Sequence, residues 1–219
     1  MTRDWDLRGD ELAREAIARG DSTGWFDALY AEGVDGRVDM PWDRSDPQPF
    51  LAEWADSVGL DGSGRRAVVV GCGLGADAEY LARLSFDTTA FDIAPTAVAE
   101  ARRRHPDSPV DYRVADLLYL PAEWAGGFDL VVEIFTLQAL PDPPRTAAAD
   151  GVRRLVAPGG TLLAIFFRDD GSQRADQGPP FALSREFMES LAVDGLTLVA
   201  LDELEAPHGP RWRAEYHRA

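Results

Sequence analysis

R-A-V-V-V-G-C-G-L-G-A-D, residues 66–77, is the stretch whose reading decides the fold. Ala67 to Val70 form an apolar run short enough for a strand buried on both faces, and it breaks at once into Gly71, Gly73 and Gly75. Ala78, Leu81, Ala82 and Leu84 then recur at helical spacing. The glycines therefore lie between a strand and the N-terminus of a helix, where backbone can approach a nucleotide-like ligand closely.

Downstream of that turn, strand and helix alternate. T-T-A-F-D-I is a second strand ending at Asp92, and Pro95 to Arg104 a helix with proline in its first turn. V-D-Y-R-V-A-D is a third strand ending near Asp116, and F-D-L-V-V-E-I-F a fourth. Ala147 to Val156 is a helix stopped by Pro158, and G-T-L-L-A-I-F-F a fifth strand. Such alternation predicts a parallel sheet with right-handed crossovers. After a helix over Ser184 to Val193, L-T-L-V-A-L and R-W-R-A-E-Y-H flank A-P-H-G-P and predict a closing antiparallel hairpin. The polar stretch 168–180 reads equally as a lid or as a disordered segment.

Residues 1–64 read as a helical N-terminal cap on a core formed by residues 65–219. Asp10 is positioned to cap a helix in which Leu12, Ala16 and Ile17 share a face and which ends at Gly20. W-F-D-A-L-Y is a short aromatic helix, and Pro47 and Pro49 open another that turns Phe50, Leu51, Trp54 and Val58 inward. Trp25 and Trp42 fit core packing and also fit a ligand wall, since they sit in a loop-rich cap.

Composition narrows the function. At 219 residues and 45% hydrophobic, the chain buries one good core, which predicts a single domain with no room for a separate substrate domain. A formal charge of -16 disfavours nucleic acid as a partner, because such binding depends on cations displacing counterions. All 22 basic residues are Arg, which removes the phosphate-gripping Lys of a P-loop and the Schiff-base Lys of a pyridoxal enzyme. One Cys and three scattered His supply neither a disulfide framework nor a spaced metal cluster. With no secretory apolar region and no run long enough to span a bilayer, a soluble cytoplasmic protein, monomer or homodimer, is the expectation.

Ligands of open α/β sheets bind outside the carboxyl ends of the strands, so the residues there carry the chemistry. They are the Gly71-Cys72-Gly73 turn, Asp92, Asp116, and Glu133 with Ile134 and Phe135. Any one acid could be a helix cap. Three acids at successive strand ends behind a glycine turn suggest a site, with Asp92 placed to accept ribose hydroxyls. G-C-G-L-G-A also satisfies G-x-G-x-x-A, so a nicotinamide or flavin oxidoreductase competes. The lack of space for a second domain and the terminal hairpin argue against it.

V-V-V-G-C-G-L-G, F-D-I-A-P-T-A-V, V-A-D-L-L-Y-L-P, F-D-L-V-V-E-I-F-T-L-Q-A-L and V-A-P-G-G-T-L-L resemble, in order, the motifs of class I S-adenosylmethionine-dependent methyltransferases. W-F-D-A-L-Y followed by P-W-D and P-Q-P is similar to the N-terminal segment of the thiopurine and thiol/halide methyltransferase branch. The resemblance implies a Rossmann-like seven-stranded sheet, mostly parallel with an antiparallel last strand, and helices on both faces. It implies S-adenosylmethionine as cofactor, S-adenosylhomocysteine as product, and a small-molecule thiol, hydroxyl or amine as methyl acceptor.

By the same resemblance, Gly71 and Gly73 approach the methionine portion of the cofactor and Asp92 binds the ribose. Asp116 and the Leu117 backbone hold the adenine, while Cys72, Ile93 and Ile134 complete the pocket. Trp42 matches the tryptophan of P-W-D near the cofactor, and Trp25 is a second aromatic wall. Many class I enzymes carry an acid two residues before the first glycine; here that position is Val69, which leaves the methionine amine to backbone carbonyls and Glu133. Trp42, Phe135, Phe167 and Arg168 are expected to face the acceptor, with Glu133 and His208 the candidate bases. A protein that binds S-adenosylmethionine without catalysis is the rival from outside the enzymes.

Overall fold

The structure, a computed structural model, describes residues 5–21, 23–40, 42–171 and 178–219. Seven strands form one sheet: β1 (Arg66–Val70), β2 (Asp87–Asp92), β3 (Asp111–Val114), β4 (Phe128–Ile134), β5 (Val156–Phe167), β6 (Leu196–Leu204) and β7 (Arg211–Arg218). Their order is β3-β2-β1-β4-β5-β7-β6. The first five are parallel, and β7 runs antiparallel between β5 and β6. The chain order reverses between β1 and β4, which opens a crevice at their carboxyl ends.

Alternation along the central strands explains why both sheet faces are covered. Val68, Val131, Leu162 and Ala164 enter one core, packed under α6 (Pro144–Leu155) and α7 (Arg185–Ser190). Ala67, Val69, Leu130, Val132 and Leu163 enter the other, with α3 (Pro49–Val58), α4 (Ala76–Arg83) and α5 (Pro95–Arg104). α3 thus packs on the sheet through Leu51, Trp54 and Ala55. It starts cleanly because Gln48 caps Phe50 and Leu51 ahead of Pro49, and it stops at Gly59 in the left-handed conformation.

α1 (Trp5–Ala18) and α2 (Trp25–Val34) make a satellite core around Ala13, Ala16, Trp25, Leu29 and Val38. α1 begins before the expected cap at Asp10, and Arg8, paired with Glu11 and Glu32, supports its first turns while tying it to α2. Of the face shared by Leu12, Ala16 and Ile17, Ala16 is buried and Ile17 is exposed. Asp27 of α2 accepts the Thr96 N–H at 2.8 Å and so seats the satellite on the start of α5, above the crevice. No helix among the described residues is long and apolar enough to cross a membrane.

Candidate functional site

The crevice holds a cavity of about 670 Å³, within the range of small-molecule clefts. Its floor is the turn after β1. Gly71 has φ +60°, and a Cβ there would stand 2.2 Å from Thr136 Oγ1. Gly73 has φ +52°, with Tyr30 and Trp42 directly over it. Glycine is required at both positions by backbone conformation and by space, and the result is a bare peptide surface facing the cavity.

Asp92, at the end of β2, holds that surface in shape. One carboxylate oxygen accepts Gly73 N–H at 2.9 Å and the other accepts Ala94 N–H at 3.0 Å. Burial pushes its carboxyl up, against the N–H groups of Ala94, Gly73 and Ile93 that favour the charged form. The carboxylate keeps lone-pair capacity for a ligand hydroxyl. Asp116 caps the turn after β3 by accepting Leu118 N–H at 2.8 Å. Cys72 is buried, and burial pushes its thiol well up, which disfavours the thiolate.

Over this end lie aromatic side chains from the satellite. Trp25 stacks on Phe26, their centroids 4.0 Å apart, and Tyr30 meets Trp42 edge-on at 6.0 Å. Burial holds the Tyr30 hydroxyl protonated. The opposite end, at β4, β5 and β7, is apolar among the described residues except for Thr136, Gln138, His208 and Arg211. Phe135 and Phe167 lie 5.2 Å apart, and the Arg211 guanidinium sits 3.6 Å from the Phe167 ring centroid.

Of the residues singled out in the sequence, Trp25, Trp42, Gly71, Cys72, Gly73, Asp92, Ile93, Asp116, Leu117, Ile134, Phe135, Phe167 and His208 all line this cavity. Glu133 does not. Its side chain is fully buried beneath the floor, where Oε1 accepts Thr136 N–H at 2.9 Å and Leu137 N–H at 2.7 Å. Burial raises its pKa to about 8. The carboxyl thus shapes the turn that carries Phe135, a bulky residue at φ +63°, and is turned away from any ligand.

Arg168 is also outside the lining. Strand alternation sends it to the face opposite Phe167, where it lies over Trp212 and pairs with Glu203 and Glu205. Pro41 of the P-W-D segment and residues 172–177 of the expected lid lie outside the described residues; Pro179 and Pro180 reach the cavity.

Tyr30, Thr136, Gln138 and Arg211 are among the lining residues that the sequence reading did not single out as ligand-facing. Tyr30 looks like one more apolar position of an aromatic helix. Gln138 carries a usable signal, as the lone polar residue in L-Q-A-L. Thr136 donates its hydroxyl to the Val70 carbonyl at 3.2 Å, joining the β4 turn to β1. Arg211 reaches the cavity only through its register with Phe167. Among the described residues no group of three or more His, Cys, Asp or Glu is arranged to hold a metal ion.

Residues 67–160 match the family described as a methyltransferase domain. The ubiquinone biosynthesis O-methyltransferase of Xanthomonas oryzae pv. oryzae is 40% identical over 131 residues, covering 56% of this chain and 54% of its own. The chain thus spans about half the length of the curated relatives it matches. A solved structure concerned with conversion of a disulfide bond into a thioacetal group during echinomycin biosynthesis superposes with a TM-score of 0.74 at 24% identity, over 90% of this chain and 91% of that one. The 1,6-didemethyltoxoflavin-N1-methyltransferase of Burkholderia thailandensis, solved with 1,6-didemethyltoxoflavin and S-adenosylhomocysteine, gives a TM-score of 0.68 at 18% identity over 88% of this chain and 86% of that one. These likenesses extend the fold beyond the matched segment. Residues 67–160 are thus similar to a methyltransferase domain, and they sit within a seven-stranded Rossmann-like fold that the chain shares with these solved structures.

Proposed function

We propose that the chain transfers a methyl group from S-adenosylmethionine to a small-molecule acceptor bound in the β4–β5–β7 end of the same cavity. The observation that carries this reading is the pairing of the Gly71–Gly73 cradle and the Asp92 carboxylate with an aromatic chamber continuous with them. A Cβ at Gly71 or Gly73 would strike Thr136 or Tyr30, so the turn presents bare backbone to the cavity, and the lone-pair capacity left on Asp92 suits a ribose hydroxyl; the residues fit the adenosyl group. Asp116 and Leu117 would hold the adenine, with Trp25, Tyr30 and Trp42 as the roof.

When bound, S-adenosylmethionine supplies an electrophilic methyl on a sulfonium. The chain contributes alignment of the acceptor atom with that methyl, and exclusion of water by Phe135, Phe167 and the aromatic roof. Electron-rich ring faces suit the sulfonium cation. Glu133 is a positioning group for the Phe135 turn, and His208, on the lining, is the base candidate that remains in contact with the cavity. A hydroxyl or ammonium needs a base more than a thiol, whose pKa of about 8.5 leaves some thiolate at neutral pH.

The curated relatives are O-methyltransferases by name, which makes hydroxyl compounds the first panel to screen. Thiols follow, on the similarity of W-F-D-A-L-Y and P-W-D to the thiopurine and thiol/halide branch, and then amines. The test is calorimetric titration with S-adenosylmethionine, S-adenosylhomocysteine and nicotinamide nucleotides, repeated on Asp92→Ala. Adenosyl-ligand binding that disappears in the variant supports the reading, and binding of nicotinamide nucleotides alone overturns it. If His208→Ala keeps full turnover, alignment suffices for the reaction.

A further inference from the structure

We propose that the acceptor is an aromatic organic acid whose carboxylate pairs with Arg211, an assignment that rests on the methyltransferase reading of this cavity. Arg211 opens β7, lines the cavity and is 6% exposed. Its Nη1 donates to the carbonyl oxygens of His208 (3.1 Å), Gly209 (2.6 Å) and Pro210 (3.1 Å). A guanidinium has five N–H donors, and those on Nε and Nη2 find no acceptor among the described residues. Burial lowers its pKa, with no carboxylate acting against that shift.

Arg211 is the one buried arginine among the described residues, and it has no acid partner there, although the chain has 38 acids to 22 arginines. Arg213, two residues along the same strand, pairs with Asp202 and Glu53, and Arg168 across the β5–β7 ladder pairs with Glu203 and Glu205. A desolvated cation without a counter-charge is costly, and an anionic ligand removes that cost. The guanidinium is held rigid by the three carbonyls and by the Phe167 ring, so its free edge is preorganised for a planar carboxylate.

Gln138 adds a second donor beside the same phenylalanine. It is 1% exposed, and its Oε1 must face the Phe167 N–H, which it accepts at 2.7 Å. That fixes the amide, leaving Nε2 as a donor with no acceptor among the described residues. Phe135, Phe167, Leu140 and Pro180 give the rest of this end an apolar, largely flat lining that suits an aromatic body. Since β4 and β5 separate β7 from β1, Arg211 stands roughly 14 Å across the sheet from the glycine cradle, on the acceptor side.

The test compares benzoate, salicylate and cinnamate with their carboxamides, by calorimetry on the full chain saturated with S-adenosylhomocysteine. Wild type is expected to bind at least one acid tenfold or more tighter than its amide. Arg211→Gln should erase that preference and leave S-adenosylhomocysteine affinity within threefold, while Arg211→Lys, which keeps the charge, should retain part of it. Equal binding of acid and amide by wild type, a preference that persists in Arg211→Gln, or binding of none of the acids overturns the proposal. So does loss of S-adenosylhomocysteine affinity in a folded Arg211→Gln, because the arginine would then hold the cofactor's own carboxylate. If Arg211→Gln does not fold, the wild-type and Arg211→Lys comparisons decide. Should wild type bind no adenosyl ligand, the methyltransferase reading falls, and the acid–amide comparison on the unliganded chain still tests Arg211.

Discussion

The β1–β2 end of the cavity is made of backbone, and the β5–β7 end is made of side chains. At the first, Gly71 and Gly73 expose peptide groups that Asp92 holds from the adjacent strand. At the second, Phe135 and Gln138 from the turn after β4, Phe167 from β5 and Arg211 from β7 converge through a tilted ring pair, a cation–π contact and one amide contact. A backbone cradle recognises what all its ligands share and tolerates little change. A wall of separately anchored side chains can be altered one residue at a time.

Substitutions at the two ends should therefore separate cleanly, and failure to separate would break the contrast. The largest effect is expected at Asp92. Asp92→Ala removes charge-assisted contacts to a ligand as well as the turn's own tie, and should weaken S-adenosylhomocysteine binding by about 100-fold or more in calorimetry. Next is Gly71→Ala, which puts a Cβ against Thr136 at a left-handed φ. It should lower stability by about 2 kcal/mol or more in urea unfolding, with a matching loss of adenosyl-ligand affinity.

Glu133→Gln probes the support that lies under both ends. Folded Glu133 holds its proton up to about 8, whereas the ordinary value is 4.5. The folded state therefore binds more protons between those values, and wild-type stability contributed by this group is full below the lower one and is lost as pH rises toward the upper one. The variant should lose that slope in urea titrations across the window, while keeping the acceptor for Thr136 and Leu137. A slope unchanged by the substitution would show that Glu133 is not its source. The smallest effect sharpens the contrast from the other side: Phe167→Ala should raise acceptor KM roughly tenfold, and S-adenosylhomocysteine affinity should stay within about twofold.

The same contrast explains what could be read from the sequence. Gly71, Gly73, Asp92 and Asp116 are local signals, each at the end of a strand that its own apolar run announces, so the cradle and the parallel sheet were both legible. Arg211 has no local signal, because its place depends on an antiparallel register with Phe167 across the last helix and β6. Glu133 is expected in the site as the acid that ends the fourth strand, and Arg168 as the residue that follows Phe167. Adjacent strand positions face opposite ways, and that alone sends Arg168 from Phe167 toward Trp212. Glu133 is diverted by the two N–H groups of the next turn, which no spacing rule anticipates. α1 began earlier than its cap signal because ion pairs from Arg8 offset a first turn with little apolar patterning.

Phe135 sets selection for stability against selection for function at one codon. Its left-handed backbone costs about 1–3 kcal/mol that glycine or asparagine would largely recover, yet its ring helps to form the wall opposite Arg211. In a random library sorted only for heat resistance, substitutions at 135 should be enriched and the enriched clones should be poor catalysts. Sorted for turnover, the same library should keep Phe135 and acquire its compensating stability elsewhere.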